Sequence, residues 1–204
     1  MIEKLISHAH KVKAAGLVVG SSGNISTRLY KNMFAISSSG AWLGELTQDD
    51  ITTCYLDDKD KYDGPEPSRE TPFHRAIYLE RPDIKAILHF QSPYATTLSC
   101  ARTLDFNLNF IPEVPAYLKS IKVISYSNPG SELLTQDIKA NIMGQDCNIL
   151  VLRGHGQIAI GKDLKTVLRN AEVFEFACMI KCQGLELNTY NPQTIKELQD
   201  YEKA

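Results

Sequence analysis

The sequence predicts a fold of mixed α/β or α+β type, and three observations carry that prediction. Apolar segments of strand length interleave with segments of helical period along the chain. The 204 residues contain no repeat, low-complexity tract or linker, and that length suits one domain with a sizeable core. The composition, 43% hydrophobic and 23% charged, is that of an ordinary globular chain.

Each element follows from local signals. Ile2 to Ala15 reads as an amphipathic helix closed by Gly16. Ile25 to Leu29 and Met33 to Ile36 read as two strands joined by a turn at Lys31-Asn32, with "GSSGN" before the first and "SSSG" after the second. "ITTCYL" is a further strand, followed by the polar turn "DDKDK". A helix begins near Ser68, tolerates Pro72 in its first turn and stops before Pro82. "IKAILHF" is strand-like, and "SPYATTLSCA" is helix-like with Ser92 as cap and Pro93 at the first helical position. The segment from Arg102 to Gly130 is apolar, broken by prolines and carries no clear periodicity. Ser131 to Met143 is helical, and "NILVLRGHGQIAIG" gives two strands around a tight Arg-Gly-His-Gly turn. Asp163 to Leu185 is the longest helical pattern, with Leu164, Val167, Leu168, Ala171 and Phe174 on one stripe. Asn191-Pro192 opens a last helix.

Charge and cysteine usage exclude several function classes. A formal net charge of −2 offers no broad basic surface for nucleic acid or an anionic membrane. No apolar run reaches bilayer length, and charges interrupt the N-terminal segment, which makes it a helix rather than a signal peptide; a cytoplasmic location is expected. The five cysteines are odd in number and form no C-x-x-C pair, so neither a disulfide framework nor a thiolate zinc site is expected. Cys178 and Cys182, four apart, read as core packing on one helix face.

The residues able to carry chemistry are few. His89 ends an otherwise apolar strand, and Gln91 follows on the same face, since a strand repeats every two residues. His155 sits between two glycines at a turn, a place for a residue projecting into a cleft and equally for a solvent-exposed turn histidine. If His89, Gln91 and His155 meet, three protein ligands with an open position make a catalytic metal centre. Glu70, at a helix start, is a candidate acid or base, or simply a charge that suits the helix dipole. His74, four residues on, reads as structural. "GSSGN", "SSSG" and Ser68-Arg69 offer backbone N–H groups, hydroxyls and one cation, chemistry suited to a phosphate monoester, although read locally they are edge turns.

In this order, "GSSGNIS", "ISSSG", "PSRETPFH", "RPDIKAILHFQSPYAT" and "LRGHGQIAIG" resemble the class II aldolase/adducin family, whose members include fuculose-1-phosphate aldolases, and the resemblance covers nearly the whole chain. It implies a three-layer α/β/α fold around a mainly antiparallel sheet, a homotetramer with sites near subunit boundaries, and a small phosphorylated sugar as substrate. His89 and His155 match two of the family's metal histidines, and Gln91 stands where aldolases carry the third. Glu70 matches the catalytic acid/base. Ser21, Gly23 and Asn24, then Ser39 and Gly40, then Ser68 and Arg69 match three phosphate loops, with Arg69 in place of a frequent second serine. A C-terminal catalytic tyrosine corresponds to Tyr190 or Tyr201. The implied activity is retro-aldol cleavage of a ketose 1-phosphate through a metal-stabilised enediolate. The implied metal is zinc, or manganese or cobalt, because an amide oxygen binds zinc less well than imidazole does. Two alternatives stay open: an epimerase or dehydratase of the same fold, and, because Gln91 replaces a metal histidine, a catalytically silent, adducin-like binding protein.

Overall fold

A computed structural model of the chain describes residues 1–201 except Leu104 and Gln145, with only the backbone of Tyr201. The strands are β1 (Asn24–Tyr30), β2 (Met33–Ser37), β3 (Ile51–Tyr55), β4 (Tyr62–Asp63), β5 (Ala86–Phe90), β6 (Ser120–Ile124), β7 (Cys147–Leu152) and β8 (Gly156–Gly161). The helices are α1 (Ile2–Ala14), α2 (Thr71–Glu80), α3 (Pro93–Ser99), α4 (Glu132–Ile142), α5 (Leu164–Lys181) and α6 (Pro192–Tyr201).

One eight-stranded sheet runs in the order β4-β3-β2-β1-β5-β8-β7-β6. Every neighbouring pair is antiparallel except β6 with β7. Strand alternation sorts the core into two layers. Ile25, Ala86, Leu88, Phe90, Ile149 and Val151 join Leu5, Ala9 and Val12 of α1 and Val167, Ala171 and Phe174 of α5 on one face. Phe34, Ile36, Ile87, Leu150 and Ile158 join Phe73, Ile77 and Tyr78 of α2 and Leu134, Ile138 and Ile142 of α4 on the other. The result is the expected three-layer α/β/α arrangement with a mainly antiparallel sheet.

Most expected elements form, and the differences have local causes. α2 starts at Thr71 because Ser68 forms the turn before it, its carbonyl accepting from the Thr71 N–H and hydroxyl. Ser92 lies at the expected cap position of α3, but its hydroxyl donates to Glu175. The Glu175 carboxylate, reaching over from α5, accepts from the N–H groups of Tyr94 and Ala95 and so caps α3 instead. β4 forms just past the stretch read as a polar turn, where Tyr62 pairs with Cys54. The proline-rich middle yields a wide single helical turn, Val114–Leu118, followed by β6. α5 ends at Lys181, short of Leu185, so Cys182 lies past the helix while Cys178 is buried in it; all five cysteines are free thiols. No helix among the described residues is long and apolar enough to cross a membrane.

Candidate metal centre and its loops

Strand register alone gathers the candidate residues at one end of the sheet. β1 begins at Asn24, which pairs with His89 at the far end of antiparallel β5. β8 begins at Gly156, just after His155, and its Gln157 pairs with Phe90. The loop before β1 and the loop after β2 lie at the same end because the two strands form a hairpin. Ser38 bridges to Pro67, and the Ser39 N–H donates to the carbonyl of Glu66, which brings the Ser68-Arg69 segment beside the second loop.

Glu70 does not serve its own helix. It is the N-cap residue of α2, yet its carboxylate makes no capping bond. Its Oε2 lies 3.2 Å from His89 Nε2, and its Oε1 lies 3.3 Å from His155 Nε2. The side chains of all three are nearly closed to solvent, and their ligand atoms lie within 4.8 Å of one another. His89 Nδ1 donates to the carbonyl of Gln157 at 2.9 Å, so Nε2 is the ring nitrogen that faces Glu70, and in the neutral ring it presents a lone pair to a carboxylate oxygen. Two acceptors at that distance repel unless a cation lies between them. Ligand atoms on a tetrahedral ion with bonds of about 2.1 Å stand roughly 3.4 Å apart, close to both separations. Glu70 Oε1 and His155 Nδ1 are buried without a hydrogen-bond partner. These features fit a divalent cation, with one imidazole already oriented by a backbone carbonyl. Burial, and then the neighbouring His89, lower the pKa of His155 against the opposing pull of Glu70.

Gln91 lies one residue beyond the end of β5 and is half-buried, with its N–H donating to the carbonyl of Leu17. A Cβ on Gly156 would stand 2.8 Å from Gln91 Cγ and 2.9 Å from His89 Cε1, so both side chains flank the glycine that follows His155. Among the described residues no hydrogen bond joins the Gln91 amide to Glu70, His89 or His155.

The three loops differ in how much they leave free. Ser21 is exposed, and Gly23, at φ +82°, packs so closely that a Cβ would stand 2.7 Å from the carbonyl oxygen of His89. Ser39 and Gly40 are exposed, with Gly40 at φ +75°. Arg69 is exposed beside Glu70, while Ser68 is buried and its Oγ accepts from the Glu70 N–H. The amide of Asn24 is committed at both ends: Nδ2 donates to Glu70 Oε2 at 2.9 Å, and Oδ1 accepts from His74 Nε2 at 2.6 Å. That leaves its backbone, and not its amide, for any part in an anion loop. Tyr190 lies between α5 and α6, its N–H donating to the carbonyl of Asn109. The Tyr201 side chain lies outside the described residues.

Sequence reading missed Ser26 and Tyr78 as neighbours of this site and placed His74 only as structural. Glu70, His74 and Tyr78 recur every four residues, and Asn24 and Ser26 every two, so a polar stripe on α2 and one on β1 were available as a signal. Their meeting required the two elements to be packed together.

The description Class II Aldolase and Adducin N-terminal domain matches residues 3–182. The chain is 30% identical over 190 residues to a 3-oxo-tetronate 4-phosphate decarboxylase of Haemophilus influenzae, covering 91% of this chain and 89% of that one. It is 32% identical over 177 residues to an L-fuculose phosphate aldolase of Methanocaldococcus jannaschii, covering 85% and 91%. The crystal structure of YgbL from Klebsiella pneumoniae superposes with a TM-score of 0.88 at 29% identity, covering 96% of each chain. The length of the match, the sheet order and the clustered Glu70, His89 and His155 agree, and the chain belongs to the class II aldolase and adducin N-terminal domain family.

Proposed function

We propose that the chain is a divalent-metal-dependent lyase that breaks a carbon–carbon bond in a small phosphorylated sugar, with retro-aldol cleavage of a ketose 1-phosphate as the leading reaction. The convergence of Glu70, His89 and His155 within 4.8 Å carries this reading. His89 and His155 would hold the metal, with Gln91 and Glu70 as oxygen donors beside them. When bound, a divalent cation supplies Lewis acidity to the oxygens next to the bond that breaks. Zinc suits the two imidazoles, and manganese or cobalt suits a set that includes an amide oxygen.

The chain's own residues supply the rest. Glu70 takes the hydroxyl proton whose loss begins retro-aldol cleavage and later returns a proton to carbon. The backbone N–H groups and hydroxyls at Ser21, Gly23, Ser39 and Gly40, with the exposed Arg69 guanidinium, hold the phosphate; binding there fixes the reacting bond from a distance. The substrate supplies what a local reading of these turns lacked, an anion for three loops that meet beside Glu70. A homotetramer and a cytoplasmic location remain part of the proposal.

Decarboxylation is the second reading, favoured by the similarity to a 3-oxo-tetronate 4-phosphate decarboxylase. A 3-oxo acid loses carbon dioxide by the same kind of bond cleavage next to a carbonyl, so one site could serve either reaction. Two measurements test the proposal. Elemental analysis should find about one divalent metal per chain, lost in His89→Ala. Purified protein supplied in turn with zinc, manganese or cobalt should release an aldehyde from fuculose 1-phosphate or a related 1-phosphoketose. Carbon dioxide from 3-oxo-tetronate 4-phosphate, with no aldol cleavage, would select the second reading. A chain that holds no metal and converts neither substrate would be a binding protein of the same fold.

A further inference from the structure

The buried face between β1 and α2 carries a continuous hydrogen-bond chain that ends on Glu70. The Tyr78 hydroxyl lies 2.8 Å from Ser26 Oγ, and Ser26 Oγ lies 2.7 Å from His74 Nδ1. His74 Nε2 lies 2.6 Å from Asn24 Oδ1, and Asn24 Nδ2 lies 2.9 Å from Glu70 Oε2. Ser26 and His74 are fully buried, with Tyr78 1% and Asn24 5% exposed.

Donor counting gives this chain one direction. An ionised Glu70 can only accept, so Asn24 presents its NH₂ to it and its carbonyl oxygen to His74. His74 must then carry its proton on Nε2, which leaves Nδ1 to accept from the Ser26 hydroxyl. The Ser26 oxygen in turn accepts from Tyr78. Burial, and then the nearness of His89, keep His74 neutral by lowering its pKa well below 6.5, in agreement with one proton on its ring. Bonds aligned head to tail polarise one another, and here all of them point at Oε2.

The two oxygens of Glu70 are therefore unlike. Oε2 accepts from Asn24 and lies against His89, whereas Oε1 is buried, has no hydrogen-bond partner and lies against His155. We propose that Tyr78, Ser26, His74 and Asn24 form a positioning chain that pins Oε2 of Glu70 and thereby presents Oε1 as the oxygen that exchanges the substrate proton. His74 and Ser26 are positioning residues that act through Asn24. The proposal rests on the reading of Glu70 as acid/base and adds the device that aims it.

Three variants and three readouts test it. Long-range proton–nitrogen spectra of the intact protein should show His74 as the Nε2–H tautomer and His89 as the opposite Nδ1–H tautomer. His74→Leu should lower kcat about a hundredfold, with KM within about twofold, because the base is misaimed while the phosphate loops are untouched. His74→Gln keeps a donor toward Asn24 and should recover about tenfold of that loss, and Ser26→Ala should cost only about threefold to tenfold. With zinc alone as probe, competition titration should give His74→Leu about tenfold weaker binding, as for residues that orient a metal-site carboxylate. An Nδ1–H imidazole at His74, or a folded His74→Leu that keeps both wild-type zinc affinity and wild-type kcat, overturns the proposal. If the wild type converts no substrate, the functional reading fails on its own. The His74 tautomer and the zinc affinity of His74→Leu then still decide whether the chain holds Glu70.

Discussion

At the scale of single residues, the proposed chemistry turns on Glu70. Its carboxylate turns away from the N–H groups of α2 and toward two imidazoles, so it is not a helix-dipole charge. Glu70→Gln keeps the shape and removes the proposed base; kcat should fall by about 10² to 10⁴ while the fold survives, measured by initial rates beside a thermal melt. Gly156 is equally constrained, because a Cβ there would stand 2.7 Å from the Phe90 carbonyl oxygen and close to both Gln91 and His89. Gly156→Ala should therefore cost about 1–3 kcal/mol by urea midpoint and weaken metal binding at the same time. An unchanged midpoint would mean that the strand ends separate without cost.

At the scale of elements, the site is held by contacts between helices that are distant in sequence. The α3 N-terminus, which follows Gln91 and Ser92, is capped by Glu175 of α5 through the N–H groups of Tyr94 and Ala95 and the Ser92 hydroxyl. Gln157 of β8 adds a second tie, accepting from the Ser92 N–H and donating to Thr96 Oγ1. Glu175→Ala strands buried donors, so it should destabilise by about 1–3 kcal/mol, read from chemical denaturation. The same comparison explains why Ser92 looked like the cap: a serine before a helix-starting proline is the usual signal, and nothing local to it announces a glutamate some eighty residues away. The β1–β2 hairpin, by contrast, was legible because its turn and alternation are local.

At the scale of the whole molecule, stability should depend on pH through the buried histidines. His74 and His155 both have pKa values lowered from 6.5, chiefly by burial. In the unfolded chain they take up protons near that ordinary value, while the native state resists. The unfolded state then binds more protons, so stability falls as pH drops below about 6.5 and gains nothing further from these groups well above it. Urea midpoints measured from about pH 7.5 down to about pH 5.5 should decline, and a folded His74→Leu should show a shallower decline. A flat profile in the wild type would mean that neither imidazole is held neutral. The core is the other global term: Phe174 is fully buried among the residues that α5 packs on the sheet, and Phe174→Ala should cost about 3–5 kcal/mol.

The sequence by itself determined the alternation of elements, the hairpin, the long C-terminal helical pattern and the residue types suited to metal and phosphate. Each of these is written in short-range periodicity, in glycine and proline placement, or in motifs that resemble those of a family. The tertiary structure alone decided that Glu70 faces His89 and His155, that the Asn24 amide serves Glu70 rather than an anion, and that His74 belongs to a chain running from Tyr78. The physical reason is that a side chain's partner is fixed by strand register and by which helix covers which sheet face. Both are settled by burial summed over the whole core, not by any one segment.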